Sequence, residues 1–429
     1  MNVSASLKDK ITVWLSEKRL HHWLVALFCI VLSVEYFSFV YSNYSYMGFR
    51  LDANPVTIIV GLLFLVIIYI SLFGNRKVSS FLYLTAICFG VILCIPSTIM
   101  YIFGGVSILC PLYSSLLLIL LTCDQLNIPA FTANHASYRW QALTLACIVI
   151  ILTIPFVINY GFPTNFKVFS LGSEVYDVRL AANRNATLLT SYLFGPLSKI
   201  LLPTLLITAI LHKDFKITAL AVLAMLYLFL VNPHKTLLFS IPVTIAFVFF
   251  KQHEAKAGAF LLLLDFTLIL SVIMRLTINS ILIESILIRR GFFLPVLISD
   301  NYFMFFNNNP MMLSHSILSG LLKYPYAWDP SHLMGFMMHE TSATSCNTGI
   351  IADGFMNFGH LGVLLWIFTT VFLFKYIDSI GIHHAYFGLV FIFIFTLANS
   401  ALLTSMLTHG GILLILILTF LVDRNKDDG

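Results

Sequence analysis

Residues 55–73 read PVTIIVGLLFLVIIYISLF and contain no charged side chain. About 20 consecutive apolar residues cross the hydrocarbon core of a bilayer as one α-helix, so this run predicts a transmembrane span. Hydrophobic residues make up 59% of the whole chain and charged residues 10%, against roughly 45–50% and 25% in soluble domains. Such a composition cannot cover a water-facing surface, and it excludes a soluble fold.

Similar apolar runs recur along the chain, separated by short charged or Pro/Gly-bearing breaks. They predict an all-α fold, a polytopic transmembrane helical bundle of about twelve spans. The sequence predicts a single integral membrane domain over residues 1–429. The predicted spans are 22–41, 55–73, 79–98, 104–123, 141–160, 192–212, 217–231, 236–251, 258–277, 355–375, 384–403 and 408–422.

The basic residues of the short connections predict the orientation of the chain. With an even number of spans both termini lie on one side, and short Lys/Arg-bearing loops mark the cytoplasm. The first helix is expected to stay uncleaved, because no small-residue cleavage site follows it. Positive charge distributed in this way does not suggest a nucleic-acid partner. The basic residues on this side are Arg76, Lys77, Arg139, Lys213, Lys216, Lys251, Lys256, Lys375, Arg424 and Lys426.

The two long connections, 161–191 and 278–354, fall on the opposite side. Both are rich in aromatic and ionisable residues, and function in membrane enzymes commonly resides in such loops. Within the second, 280–288 and 314–322 are expected to form short helices along the bilayer surface. Six of the seven cysteines lie in or at the ends of apolar runs, so neither a disulfide framework nor a zinc site is indicated.

The outer side carries more positive charge than the orientation rule predicts for a passive surface. Cations kept there indicate an anionic ligand at that depth, and the arginine fork suits a phosphate group. The alternative is that these cations contact lipid headgroups or pair with acids, namely Glu174, Asp177, Glu284 and Asp300. The outer cations are Lys167, Arg179, Arg184, Lys235, Arg275, Arg289 and Arg290.

Histidine is the usual general base near neutral pH, and His339 is followed by Glu340, which could orient its imidazole. The alternatives are a hydrogen-bonded loop histidine and a contact to a substrate hydroxyl. An HExxH zinc motif needs a second histidine where the chain has Ala343, so zinc is not expected. Within the segment 347–362, four glycines favour close helix approach, while Asn347 and Asp353 are candidates for contacts to sugar hydroxyls.

Two acids, Glu35 and Asp265, fall inside predicted spans. A proton-coupled carrier uses such groups, but they could equally pair with Lys199. The transport hypothesis therefore stays open at this point. It predicts charges along the interior of the bundle and short loops on both faces, whereas the charges here gather at the outer side.

On these residues the chain resembles the O-antigen polymerases of the Wzy type, membrane enzymes that polymerise lipid-linked oligosaccharide repeat units. The resemblance covers the topology and a few local features. Ten residues separate Arg184 from Gly195, a spacing reported for such polymerases. The other features are the Lys235-Thr236 turn, the stretch from Arg289-Arg290 through Pro295 and Tyr302 to Phe306, and the segment 347–362.

The resemblance implies a metal-independent glycosyltransferase with a GT-C-like helical core and no cofactor. It would act in the bacterial inner membrane, at the periplasmic face, on undecaprenyl-diphosphate-linked oligosaccharides, with a chain-length co-polymerase as a possible partner. We expect Arg184, Arg289 and His339 to be catalytic, His339 by activating the acceptor. Substrate contacts are assigned to Arg179, Lys235, Arg290, Tyr302, Asn347 and Asp353. An O-antigen ligase, which uses lipid A core as acceptor, and a lipid-linked oligosaccharide flippase are the alternatives.

Overall fold

A computed structural model describes residues 7–75, 77–124, 128–129, 137–163, 166–170, 174–341 and 343–422. Helices account for nearly all of its regular structure, and these residues contain no β-strand. The α-helices in chain order are α1 Leu7–Ser16, α2 Lys18–Glu35, α3 Ser42–Tyr44, α4 Pro55–Phe73, α5 Ser80–Phe89, α6 Ile95–Phe103, α7 Leu109–Thr122, α8 Tyr138–Tyr160, α9 Glu174–Arg184, α10 Leu188–Pro196, α11 Leu202–Leu211, α12 Phe215–Val231, α13 Lys235–Phe249, α14 His253–Ile278, α15 Leu294–Phe306, α16 Pro330–His339, α17 Ile350–Ile380, α18 Phe387–Asn399, α19 Leu402–Met406 and α20 Gly411–Phe420.

Seven helical stretches in the described part of the chain are long and apolar enough to cross a membrane. Five shorter apolar helices, including α7, α12 and α13, lie where the remaining spans were predicted. The prediction of a polytopic helical bundle is therefore confirmed, while the number of crossings stays a prediction. The seven stretches are Lys18–Met47, Pro55–Phe73, Ser80–Phe103, Tyr138–Tyr160, Leu188–Leu211, His253–Ile278 and Ile350–Ile380.

Several of these helices are interrupted by π-helical turns, in which one extra residue widens the backbone. The π-helical segments are Tyr36–Tyr41, Gly90–Cys94, Leu197–Leu201 and Glu284–Phe293. A proline follows three of them within two residues: Pro96, Pro203 and Pro295. Because proline lacks an N–H and its ring displaces the carbonyl four residues earlier, it accounts for a local loss of regular α-helical bonding. Charged residues lie on two of these segments.

The chain divides into two compact units, and the first comprises Met1–Ile128, Gln252–Asp378 and Ile394–Leu402. In unit 1, α2 packs against α14, and α4 packs against α6 and α7. At one end, the Asn75 side chain donates to the carbonyl of Thr122 at 2.8 Å. At the other end, the backbone N–H of Asp52 donates to the carbonyl of Phe103 at 2.8 Å. These bonds link the two ends of α4 to the ends of α7 and α6.

Unit 2 comprises Pro129–Lys251, Ser379–Phe393 and Leu403–Gly429. Helices α8 and α12 run parallel, because Tyr138 donates to Asp214 at their starts (3.2 Å) and Tyr227 donates to the carbonyl of Gly161 at their ends (2.9 Å). Helix α9 lies at the latter end, where Tyr160 donates to the carbonyl of Ala182 at 3.2 Å. This end of unit 2 therefore holds the first long connection and the turn between α12 and α13.

The second long connection, 278–354, is largely structured. The chain is helical from residue 282, through the π-helical segment Glu284–Phe293, into α15, which extends the short helix expected over 280–288. Residues 314–322 form turns, so the helix predicted there is wrong. The residues just before that stretch explain the difference, because Met312 and Leu313 adopt positive φ angles of 51° and 59°, which non-glycine residues rarely adopt within helices.

Of the basic residues used to predict the orientation of the chain, Arg76, Arg424 and Lys426 lie outside the described residues.

Candidate functional site

The two arginines predicted in the first long connection lie on α9, the short helix at one end of unit 2. Arg179 and Arg184 are both exposed. Arg184 ends α9 and makes no hydrogen bond or ion pair with another described residue. Its guanidinium is therefore available to a ligand, and its predicted role in binding an anion stays a prediction.

The glycine separated from Arg184 by ten residues has a packing role. Gly195 is buried on α10 against the turn that carries Thr408 and His409. A Cβ atom at Gly195 would lie 2.3 Å from the Thr408 carbonyl oxygen, which is too close for any side chain. Of the two residues in the polymerase-like spacing, Arg184 is thus exposed, and Gly195 is needed for the close approach of α10 to the backbone at Thr408.

A set of basic side chains gathers at this end of unit 2. His234 lies within electrostatic range of Arg179, Lys199 and His409. Its ring packs against Phe194, with 5.0 Å between the centroids, and the charge of Lys199 also acts on His409. Lys235 directly follows His234. We call this set the basic group of unit 2: Arg179, Lys199, His234, Lys235 and His409.

Lys199 is the member that sequence reasoning assigned to a different role. It lies half-buried on the π-helical segment Leu197–Leu201, within an apolar stretch long enough to span a membrane. It forms no hydrogen bond or ion pair with another described residue. Glu35, one of the acids expected to pair with it, bonds to Arg275 instead. A membrane cation without an acidic partner is energetically costly, and it marks a position where an anion would be stabilised.

The electrostatics of His234 show how one-sided the charge is. Burial, together with the nearby positive charges of Arg179 and Lys199, lowers the pKa of His234 to about 3. Within the described part of the chain, the charged groups that act on this imidazole are all basic. His234 is therefore neutral at pH 7, and an anion bound beside it would oppose the shift by favouring the protonated ring.

Lys235 begins helix α13, and its side chain is half-buried. The N-terminus of a helix carries a partial positive charge, so a cation in the first turn is unfavourable by roughly 0.3–1 kcal/mol. The same helix end and the same lysine both favour an anion. The predicted role of Lys235 in contacting an anionic substrate stays a prediction, and its position is consistent with that role.

The predicted residues of the second long connection all lie in unit 1, and their surroundings differ. Arg289 is buried on the π-helical segment Glu284–Phe293, where its guanidinium lies 4.2 Å from the centroid of the Tyr44 ring. It also donates to the Ser285 hydroxyl at 3.3 Å. Arg290, the next residue, is exposed. Of the two adjacent arginines, Arg290 presents the more accessible guanidinium.

Tyr302 and Asp353 are both buried within unit 1. The Tyr302 hydroxyl donates to the carbonyl of Cys346 at 3.0 Å. The Asp353 carboxylate accepts from the Trp366 indole at 2.6 Å and from the backbone N–H of Leu402 at 3.0 Å. These bonds position the surrounding backbone, and the sugar contacts assigned to both residues stay predictions.

Asp353 precedes a break in α17. Phe358 and Gly359 leave the helical conformation, with Gly359 at φ 59° and ψ −143°, a region that only glycine adopts without strain. Gly354 and Gly362 approach closely across the break, because a Cβ on Gly362 would lie 2.0 Å from the Gly354 carbonyl oxygen. The predicted close approach through glycines is confirmed, although it occurs within one broken helix.

His339 ends α16, and its side chain is half-buried. It makes no hydrogen bond with Glu340 or any other described residue, so the expected orientation by Glu340 does not occur in this structure. Glu340 itself adopts a positive φ of 56° as the C-cap of the helix. Asn347 is exposed in the irregular segment before α17, and its side-chain Oδ1 lies 3.4 Å from the Ser345 hydroxyl.

A different histidine in the same helix has an oriented ring. His332 Nδ1 lies 2.5 Å from the Asp329 carboxylate, in the first turn of α16. Asp329 also caps the helix by accepting from the backbone N–H of Ser331 at 3.2 Å. Sequence reasoning missed this pair. The signal that could have found it is an aspartate at a helix start followed by a histidine three residues later, since these positions are neighbours.

Arg275, one of the outer cations, pairs with two acids. Its guanidinium lies 2.6 Å from Glu284 and 3.1 Å from Glu35, and both glutamates are completely buried. It also donates to the Ser38 hydroxyl at 3.0 Å. The acid-pairing alternative is thus confirmed for Arg275, which is not available to a ligand in the way that Arg184 is.

Within the described ranges, no three histidine, cysteine or acidic side chains gather as metal ligands. The chain matches no known protein-family model, no curated protein and no solved structure. The resemblance to O-antigen polymerases therefore depends on the topology, the spacing of Arg184 and Gly195, and the other local sequence features alone.

Proposed function

We propose that this protein polymerises polyprenyl-diphosphate-linked oligosaccharide repeat units into O-antigen or a similar surface polysaccharide, at the outer face of a bacterial inner membrane. The observation that carries the proposal is Lys199, a cation within an apolar stretch that has no acidic partner in the described structure. A lipid-borne diphosphate supplies the missing negative charge at membrane depth.

The chemistry of glycan transfer explains why a diphosphate needs such surroundings. As the glycosidic bond to the donor breaks, negative charge accumulates on the leaving diphosphate. Preorganised cations in a partly dehydrated site stabilise that charge more strongly than water does. In this proposal Arg179, Lys199 and Lys235 bind the diphosphate, and Arg184 stabilises it from the exposed end of α9.

The acceptor is the terminal sugar of an incoming lipid-linked unit, whose hydroxyl must lose a proton as it attacks. An imidazole with a pKa near neutrality suits this role. The roles of His339 as the base and of Arg289 and Arg290 as contacts to substrate phosphate or sugar stay predictions from the sequence. The proposed reaction is metal-independent, since cations of the chain itself take the place of a divalent metal at the phosphates.

The decisive experiment reconstitutes the reaction. Purified protein is incubated with undecaprenyl-diphosphate-linked repeat units in the presence of a chelator, and products are separated on a gel. The proposal predicts a ladder of polymer, reduced at least tenfold in Lys199→Gln. Lys216→Gln is the matched control, because Lys216 is an exposed lysine of unit 2 near the start of α12, away from the basic group.

Three outcomes would contradict the proposal. An absence of polymer from correctly inserted protein argues against polymerisation. Transfer of glycan only to added lipid A core identifies a ligase, and movement of the lipid across vesicles without bond formation identifies a flippase. Gene deletion in cells separates a polymerase from a ligase, because loss of a polymerase leaves one repeat unit on the core and loss of a ligase leaves none.

A further inference from the structure

The second long connection carries two exposed aromatic rings beside an oriented histidine, all in unit 1. Trp328 is 40% exposed and Phe336 is 41% exposed. Their ring centroids lie 4.9 Å apart, with the planes tilted by 38°. We call these two rings the aromatic shelf. Large aromatic surfaces left in contact with solvent are frequent at binding sites.

His332 lies on the same face of α16 as Phe336, because residues four apart on a helix are neighbours. The Asp329 carboxylate accepts a hydrogen bond from Nδ1–H of this imidazole, with 2.5 Å between the two heavy atoms. In the neutral tautomer that this bond selects, Nε2 carries a lone pair and accepts hydrogen bonds. No bond from Nε2 to another described residue is formed. The shelf is thus bordered by an acceptor ready for a hydroxyl group.

A pyranose ring matches this combination. Its axial C–H groups carry partial positive charge and pack against the negative face of an aromatic ring, while its hydroxyls lie at the edge and donate hydrogen bonds. We propose that Trp328, Phe336 and His332 form a sugar-binding subsite, in which a pyranose ring stacks on the aromatic shelf and one hydroxyl donates to His332 Nε2. That this sugar belongs to the lipid-linked acceptor rests on the proposed function.

The other occupant to consider is the lipid headgroup region, where tryptophan is common. The charge beside the shelf favours the sugar. Although burial acts in the opposite direction, hydrogen bonds from Ser331 and His332 lower the pKa of the Asp329 carboxyl. Asp329 therefore stays ionised and is more than half exposed, and an exposed carboxylate is repelled by the anionic lipids of a membrane surface.

Saturation-transfer NMR tests the subsite directly. The probes are the methyl glycosides of glucose, galactose, mannose and N-acetylglucosamine, each added to the full-length protein in nanodiscs. At least one probe should show enhanced ring-proton signals, reduced at least fivefold in Trp328→Ala and in Phe336→Leu. His332→Ala should lower the signal at least twofold. Phe336→Leu retains apolar volume, so it separates loss of stacking from loss of folding.

Trp140→Ala and Trp23→Ala serve as controls, since both are exposed tryptophans outside the second long connection, at 66% and 76% exposure. The subsite is refuted if no probe shows enhanced ring-proton signals, or if these signals are equal in Trp328→Ala and in the two controls. The fluorescence of Trp328 is measured as the difference between wild type and Trp328→Ala. If brominated lipid quenches this fluorescence and iodide does not, the aromatic shelf lies in the membrane and the subsite is refuted.

The two proposals fail in different ways. If the sugar signals depend on Trp328 but no polymer forms from lipid-linked units, polymerisation is refuted and the sugar site remains. If polymer forms at wild-type rates in Trp328→Ala and no probe binds, the subsite is refuted and polymerisation remains.

Discussion

Replacing Arg275 by glutamine removes the positive charge that, among the described residues, bonds to the two buried glutamates, Glu35 and Glu284. Both carboxylates are fully buried, and each already has one oxygen without a hydrogen-bond partner in the described structure. Breaking a buried ion pair from one side costs about 3–5 kcal/mol, because it leaves an uncompensated charge in a low-dielectric region. Arg275→Gln should therefore lower the free energy of unfolding by about 3–5 kcal/mol.

The opposite change should cost much less. Glu35→Gln leaves Arg275 bonded to Glu284 at 2.6 Å, and it removes the repulsion between two carboxylates that share one guanidinium. We expect a loss below about 1.5 kcal/mol, the net value of one hydrogen bond. The contrast between the two variants, rather than either value alone, tests whether one arginine neutralises two acids.

The assay is equilibrium unfolding of the purified protein in mixed micelles, followed by circular dichroism. Arg19→Gln is the matched control, because Arg19 is an exposed arginine of the same unit and should stay within about 0.5 kcal/mol of wild type. Neutralisation of the two acids by Arg275 is refuted if Arg275→Gln is as stable as this control, or if Glu35→Gln is destabilised as much as Arg275→Gln.

Three further predictions concern unit 2. Gly195→Ala places a Cβ 2.3 Å from the Thr408 carbonyl oxygen, so it should lower stability by about 1–3 kcal/mol in the same assay; an unchanged midpoint contradicts the close approach. The pKa of His234 is lowered from 6.5 to about 3, so between these pH values the unfolded chain binds a proton here and the folded chain does not. The contribution of His234 to the free energy of unfolding is therefore complete above pH 6.5 and is lost as the pH falls towards 3, by at most about 1.4 kcal/mol per pH unit. His234→Gln should flatten the pH dependence of unfolding, and parallel profiles for both proteins argue against a buried neutral ring. Arg184→Ala should abolish long-chain polysaccharide on a silver-stained gel of cells while membrane insertion is unchanged, and wild-type chain lengths would remove Arg184 from the site.

The apolar runs of the sequence predicted helices well, because hydropathy depends on many residues at once. The run at 55–73 coincides with Pro55–Phe73, and the run at 141–160 lies within Tyr138–Tyr160. The π-helical segments were not predicted, since one inserted residue leaves the hydropathy of a run unchanged. The prolines at positions 96, 203 and 295 are the signal that was available.

The candidate site was only partly predictable for a related reason. Sequence reasoning found Arg179, Arg184 and Lys235 because charges at the outer end conflict with the orientation rule. It did not identify Lys199 as a site residue, because pairing with an acid depends on which helices meet. It also favoured His339 over His332, since adjacency to Glu340 in sequence says little about contact, whereas the first turn of a helix brings Asp329 and His332 together.

Binding of a lipid diphosphate by the basic group of unit 2 is best tested by measuring the affinity of the purified protein for undecaprenyl diphosphate. A hydrogen bond between charged groups contributes about 1.5–3 kcal/mol, which corresponds to a change in Kd of roughly 10- to 100-fold. We expect Lys199→Gln to weaken binding by this factor while Lys216→Gln leaves Kd unchanged. Equal Kd values for wild type and Lys199→Gln would contradict this expectation.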